Sequence, residues 1–176
     1  MKISYNWLQD YIDLNISPDE VSRILTDIGL EVEGVTQFQS VKGGLKDLVV
    51  GEVLTCDRHP NADKLSVTSV DVGRGDPLHI VCGAPNVAKG QKVVVAPVGT
   101  TLYSNKGRFQ IKKAKIRGES SEGMICAEDE IGLSDNHDGI IVLDPATEIG
   151  IPVSEHFQDI EDVIFEIGLT PNRIDG

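Results

Sequence analysis

The chain has 176 residues, of which 40% are hydrophobic, 25% charged and 5% aromatic, and its formal net charge is −12; this ordinary composition excludes global disorder. Its three cysteines, Cys56, Cys82 and Cys126, form no close pair, which excludes a zinc knuckle or a redox couple and reads as buried reduced thiols of a cytoplasmic protein. Residues 1–14 lack the charged start and unbroken apolar core of an export signal, and no run approaches the ~18 apolar residues of a membrane span.

From the amino terminus, a short helix beginning at Ser4 would place Trp7, Leu8, Tyr11 and Ile12 on one face, a pattern that points to core packing. Ser17-Pro18-Asp19-Glu20 combines an N-cap, a proline at the first helical position and a capping-box Glu. Val21, Ile24, Leu25 and Ile28 follow at helical spacing and Gly29 supplies a left-handed stop, so a helix is predicted over 18–28. Leu30 to Val35 alternates apolar and acidic residues, the period of a half-buried strand.

After Gly43-Gly44 the pattern is β. Strands are predicted at Leu48–Leu54, Ser66–Val72, Leu78–Cys82, Gln91–Ala96 and Gly139–Leu143, separated by Gly-rich turns. Five strands in about 100 residues fit a small closed barrel, of which the five-stranded OB-fold is the oligonucleotide-binding example. A last strand is predicted at Val163–Ile167, and the tail to Gly176 adds no terminating element. The expected architecture is mainly β with an α+β flank: residues 1–40 form the first part of a split domain, 41–148 the barrel inserted in it, and 149–176 the second, cut part.

Charge is segregated along this framework. Residues 77–118 contain no Asp or Glu and carry eight cations, Lys89, Lys92, Lys106, Arg108, Lys112, Lys113, Lys115 and Arg117, for a net +8; residues 1–76 are net −6 and residues 119–176 net −14. Charges are screened over ~8 Å at physiological salt, so a local basic face can attract phosphate on an acidic molecule. Read as a strand, the run from Lys112 puts Lys113, Lys115 and Arg117 on one face and Lys112, Ala114 and Ile116 on the other. Such a row suits a phosphate backbone, and equally suits a solvated edge strand guarded by lysines. Only Tyr103 and Phe109 offer aromatic platforms there, so a reader of shape and phosphate is favoured over a reader of bases.

Catalytic constellations are missing from the pattern. His59, His79, His137 and His156 lie at no metal-ligand spacing, Ser120-Ser121-Glu122-Gly123 lacks the flanks of a nucleophile elbow, and no phosphate-cradling glycine loop is present. His59-Pro60-Asn61-Ala62-Asp63-Lys64-Leu65 reads as a turn whose Asn61 or Asp63 bonds nearby backbone. The Glu122-Gly123 step reads as a barrel corner where glycine permits close approach.

Four blocks nevertheless make a specific combination in order: His59–Leu65, Ile80-Val81-Cys82-Gly83-Ala84-Pro85-Asn86-Val87, Ile111-Lys112-Lys113-Ala114-Lys115-Ile116-Arg117-Gly118, and Ser121-Glu122-Gly123-Met124-Ile125-Cys126. Together they resemble the tRNA-binding OB domain shared by several tRNA-handling proteins. The flanks Met1–Leu8, Gly29–Glu33 and Leu169-Thr170-Pro171-Asn172-Arg173 resemble the start of the bacterial phenylalanine–tRNA ligase β-subunit family. That resemblance implies an N-terminal piece of a longer chain, with the barrel inserted in a split first domain. It implies a parent α2β2 ligase that uses ATP and magnesium to attach phenylalanine to tRNA, with an α subunit as partner and catalysis, editing and anticodon recognition elsewhere. For the piece itself it implies auxiliary tRNA binding, no cofactor, no metal and no catalytic site. The implied tRNA contacts are Lys112, Lys113, Lys115 and Arg117, then Lys64; Lys89, Lys92, Lys106 and Arg108 are added on charge alone. A structural, protein-interaction role in the ligase assembly and a stand-alone tRNA-binding protein are the alternatives.

Overall fold

In the computed structural model, which describes residues 1–45, 47–104, 107–157 and 159–169, the chain opens with β1 (Lys2–Ser4), α1 (Tyr5–Gln9), α2 (Pro18–Asp27) and β2 (Glu31–Gln39). It continues through β3 (Val49–Arg58), β4 (Ser66–Asp71), β5 (Leu78–Cys82), β6 (Lys92–Pro97), β7 (Thr101–Ser104), β8 (Gly107–Gln110), β9 (Ala114–Ile116), β10 (Glu119–Ser121), β11 (Gly123–Ile125) and β12 (Val142–Leu143). The helix α3 (Val153–Phe157) and the strand β13 (Glu161–Gly168) follow. Two compact units result, one from residues 1–40 with 160–176 and one from residues 41–159.

In the first unit β13 lies between β1 and β2, antiparallel to both, so the two ends of the chain share one sheet. Phe165, Ile167 and Val163 from β13 and Val21 from α2 form its buried centre. Ser17 caps α2, its Oγ accepting from the Glu20 amide at 3.3 Å, and Gly29 at φ 96° ends it, as the sequence predicts. Ser4 caps α1 and donates to Asp162, whose carboxylate also accepts from the Asn6 amide at 3.0 Å. Burial alone would raise the Asp162 pKa, but hydrogen bonds from Ser4 and the amides of Asn6, Val163 and Tyr5 outweigh it and hold the carboxyl below its ordinary range. Of the expected apolar face of α1, Leu8 packs against this core, but the helix ends at Gln9, and Trp7, Tyr11 and Ile12 stay exposed, with the Trp7 and Tyr11 rings edge to face at 4.9 Å. One helical turn and a half is too short to carry all four apolar residues on one stripe.

The second unit is a nearly closed antiparallel barrel with strand order β11-β6-β3-β4-β5. Closure comes where the chain between β10 and β11 meets β5, the Glu122 amide donating to His79 O at 2.7 Å and the Val81 amide to Ser121 Oγ at 3.2 Å. Val53, Val70, Ile80, Val93, Val95 and Ile125 fill the interior. Val94 and Ala96, on the other face of β6, enter a second buried cluster with Leu48, Val50, Leu102 and Ile141. Burial on both faces is why β6 reads as a continuous apolar run. A Cβ at Gly123 would stand 2.9 Å from Ala96 O, so glycine is required where β11 crosses β6.

Two boundaries differ from the sequence expectation. The fifth barrel strand is β11, and the segment predicted as Gly139–Leu143 retains only the two residues of β12 on β6. Asn86 explains the shortening: its side chain accepts from the Ile140 amide and donates to Ile140 O, both at 2.9 Å, replacing a ladder with a side-chain clamp. Residues 149–159, expected in the split domain, pack in the barrel unit. The Gly150 amide donates to Val50 O at 2.8 Å, Val50 to Ile151 O at 3.0 Å and Val153 to Leu48 O at 2.9 Å.

Candidate nucleic-acid interface

The basic run forms a short hairpin. β9 and β10 pair antiparallel through Ala114↔Ser121, Lys115↔Ser120 and Ile116↔Glu119, leaving Arg117 and Gly118 as a two-residue turn. Both turn residues have positive φ, 47° at Arg117 and 106° at Gly118, the requirement of the primed turns that match strand twist. Among the described residues Arg117 is the one non-glycine in this region, a placement that costs an L-residue roughly 1 kcal/mol. The predicted alternation of Lys113, Lys115 and Arg117 on a single strand face is therefore corrected: only Lys115 sits in the ladder, with Lys113 before it and Arg117 at the tip. Lys112, Lys113, Lys115 and Arg117 are all exposed within six consecutive residues.

The turn between β3 and β4 holds this hairpin. The His59 amide donates to Leu65 O at 3.0 Å, closing the 59–65 loop. Although His59 is 4% exposed, both ring nitrogens are used. Nδ1 accepts from the Asn61 amide at 3.0 Å, which leaves the proton on Nε2 to donate to Ile116 O at 3.1 Å. Asn61 extends the link, its Nδ2 donating to Arg117 O at 3.4 Å. The Asn61 reach goes beyond the local turn bond that its sequence context suggests, and it brings the loop carrying the exposed Lys64 onto the tip carrying Arg117. His59 and Asn61 are positioning residues that sequence reasoning missed; the signal was present, since a buried histidine two residues before an Asn needs partners for both nitrogens.

The remaining candidates are dispersed. Lys92 is neutralised, its Nζ bonding Glu52 Oε2 at 2.6 Å across the β3–β6 ladder with the lysine side chain 13% exposed. Lys89 lies in the loop before β6 and Arg108 on β8, opposite Tyr103, and Lys106 falls outside the described residues. Within the hairpin cluster, Lys113 Nζ bonds Glu122 Oε1 at 2.6 Å, but this pair is open to solvent, the lysine side chain being 65% exposed. The hydrogen bond and charge of Lys113 hold the Glu122 carboxyl below its ordinary range. No carboxylate pairs with Lys112, Lys115 or Arg117 among the described residues. All three thiols are free, and burial pushes Cys82 and Cys126 up, away from thiolate chemistry. No group of three or more His, Cys, Asp or Glu converges as metal ligands among the described residues, and no helix there is long and apolar enough to cross a membrane.

Residues 48–152 match the family described as "Putative tRNA binding domain". The chain belongs to this tRNA-binding domain family. The match covers the barrel, the 59–65 loop and the whole hairpin. Across 175 residues, 99% of this chain, the sequence is 55% identical to the phenylalanine–tRNA ligase β subunit of Bacteroides fragilis and 49% identical to that of Yersinia pestis. The chain spans about a fifth of the length of these relatives, 21% in each case. A crystal structure of a MetRS related protein from Pyrococcus horikoshii superposes on 60% of this chain and 86% of its own with a TM-score of 0.43 and 21% identity.

Proposed function

We propose that this tRNA-binding domain is part of a phenylalanine–tRNA ligase β subunit, where the β9–β10 hairpin docks on the phosphate backbone of tRNA. The carrying observation is the cluster of exposed cations Lys112, Lys113, Lys115 and Arg117, fastened through Ile116 O and Arg117 O to the loop bearing Lys64. Fixing the hairpin by its backbone leaves the cationic side chains available to phosphate oxygens, and contacts of that kind set register without reading sequence. Lys89 and Arg108 extend the footprint only if the RNA wraps around the barrel.

The parent enzyme attaches phenylalanine to tRNA in the cytoplasm with ATP and magnesium, in an assembly with an α subunit. Titrating the chain with tRNA at about 50 and 200 mM salt tests the reading. Four phosphate contacts predict a slope of log affinity against log salt of about −2.8, whereas a salt-independent isotherm, or no binding at the lower salt, overturns it. A protein-interaction role is favoured for the first unit alone, by the exposure of Trp7, Tyr11 and Ile12 at 52%, 71% and 54%.

A further inference from the structure

The block Ile80–Val87 and the Gly123–Cys126 part of the fourth block lie outside the hairpin. They wall a cleft of about 400 Å3, within the size of small-molecule sites. Ala84, Pro85, Met124 and Ile140 supply apolar walls; Glu130 and His137 supply the polar ones. Glu130 is half-buried and fixed, its Oε2 accepting from the Ala127 amide at 2.8 Å. His137 Nδ1 lies 2.9 Å from Asp129 Oδ1; a carboxylate can only accept, so Nδ1 carries the hydrogen. A neighbouring cleft of about 260 Å3 shares Glu130 and His137, adds Asp129, and is lined on its other side by Arg108 and the exposed Phe109.

This arrangement rejects phosphate and favours a donor-bearing planar group. An anion inside would face Glu130 with no lysine or arginine lining the cleft beside it. We propose that the cleft takes one unpaired base of a bound RNA, guanine best, with its N1–H and N2–H2 edge on Glu130, its face against the apolar walls and its phosphate outside in solvent. Guanine alone among the RNA bases offers two adjacent ring and exocyclic donors to one carboxylate; uracil offers a single N–H. Single-stranded RNA is read in this manner, by splaying bases out and bonding their pairing edges. The inference rests on the tRNA-binding reading for its RNA but uses none of the hairpin residues.

The test compares the single-stranded oligoribonucleotides UUGUU and UUUUU on the whole chain, with backbone amide shifts of Gly83, Ala127 and Gly139 as the site readout. The guanine-containing strand should bind at least about fivefold tighter, the lower end of what one paired edge discriminates, and should move those three amides. Glu130→Gln keeps an acceptor for the Ala127 amide and should reduce the preference to about unity. Ala84→Leu, which fills the cleft without touching Glu130, should do the same. Equal affinity for the two strands, shifts confined to other amides, or a guanine preference that survives both variants would overturn the cleft. Salt-dependent tRNA binding with no guanine preference overturns the cleft and leaves the hairpin reading standing; guanine preference without salt-dependent tRNA binding does the reverse.

Discussion

Strand β6 and the β9–β10 hairpin both take their lysines from the acid-free stretch of the sequence, and both place a lysine 2.6 Å from a glutamate, yet the two regions present opposite surfaces. On β6, Lys92 stands directly opposite Glu52 in the ladder with 13% of its side chain exposed, so its charge is satisfied inside the fold. On the hairpin, Lys113 meets Glu122 with 65% of its side chain exposed, and Lys112, Lys115 and Arg117 beside it have no such partner among the described residues. The charge of a strand is neutralised where its ladder partner is a carboxylate, as at Lys92 opposite Glu52, and displayed where that partner is neutral, as at Lys115 opposite Ser120, or where the chain turns, as at Arg117.

Substitutions can break that contrast at its strongest point. Replacing Lys112, Lys115 and Arg117 by Ala should lower tRNA affinity more than tenfold at about 50 mM salt, measured by fluorescence titration. The same change should flatten the salt slope by about 2, since each phosphate left without its cation removes ~0.7 from it. Lys92→Ala should leave affinity and slope unchanged while lowering unfolding stability by about 1–2 kcal/mol, because Glu52 is deprived of its charged hydrogen-bond partner. His59→Ala acts through position instead of charge. It removes the donor to Ile116 O and the acceptor for the Asn61 amide, so stability should fall by about 2–3 kcal/mol, and affinity by about fivefold with an unchanged salt slope, since every cation remains.

Arg117→Gly sharpens the comparison by separating stability from binding. Relief of the left-handed arginine should raise stability by up to about 1 kcal/mol in chemical denaturation, while removal of one cation from the tip should weaken tRNA binding about threefold. The smallest effect is expected at Glu122. Glu122→Gln releases Lys113 and should strengthen tRNA binding about twofold at low salt. The same pair sets a pH sign: the Glu122 carboxyl is depressed in the folded chain, so its stabilisation is present above the ordinary carboxylate pKa and is lost as pH falls through the lowered one. Acid unfolding of the Gln variant should lack that component.

Much of the fold was legible because local signals agreed with tertiary context. The Ser17 cap, Pro18 and Gly29 bound α2 as read, the apolar run of β6 lies in the barrel buried on both faces, and β4 and β5 show the alternation of strands buried on one face. What the sequence hid were the long-range substitutions for regular pairing. The Asn86 clamp on Ile140 is 54 residues apart in the chain, and no local pattern distinguishes it from an asparagine in an ordinary turn. The site divides in the same way. The cluster 112–117 was visible as a charge run, but the neutralisation of Lys92 by a glutamate 40 residues away and the anchoring of Ile116 by His59 across 57 are properties of the closed barrel.

Mapping tRNA onto the chain by backbone amide shifts tests the account most directly. Saturation with tRNA at low salt should move the amides of residues 112–121 and of the 59–65 loop together, and leave those of Glu52 and Lys92 in place. Shifts centred on β6, or spread evenly over the barrel with the hairpin silent, would contradict it.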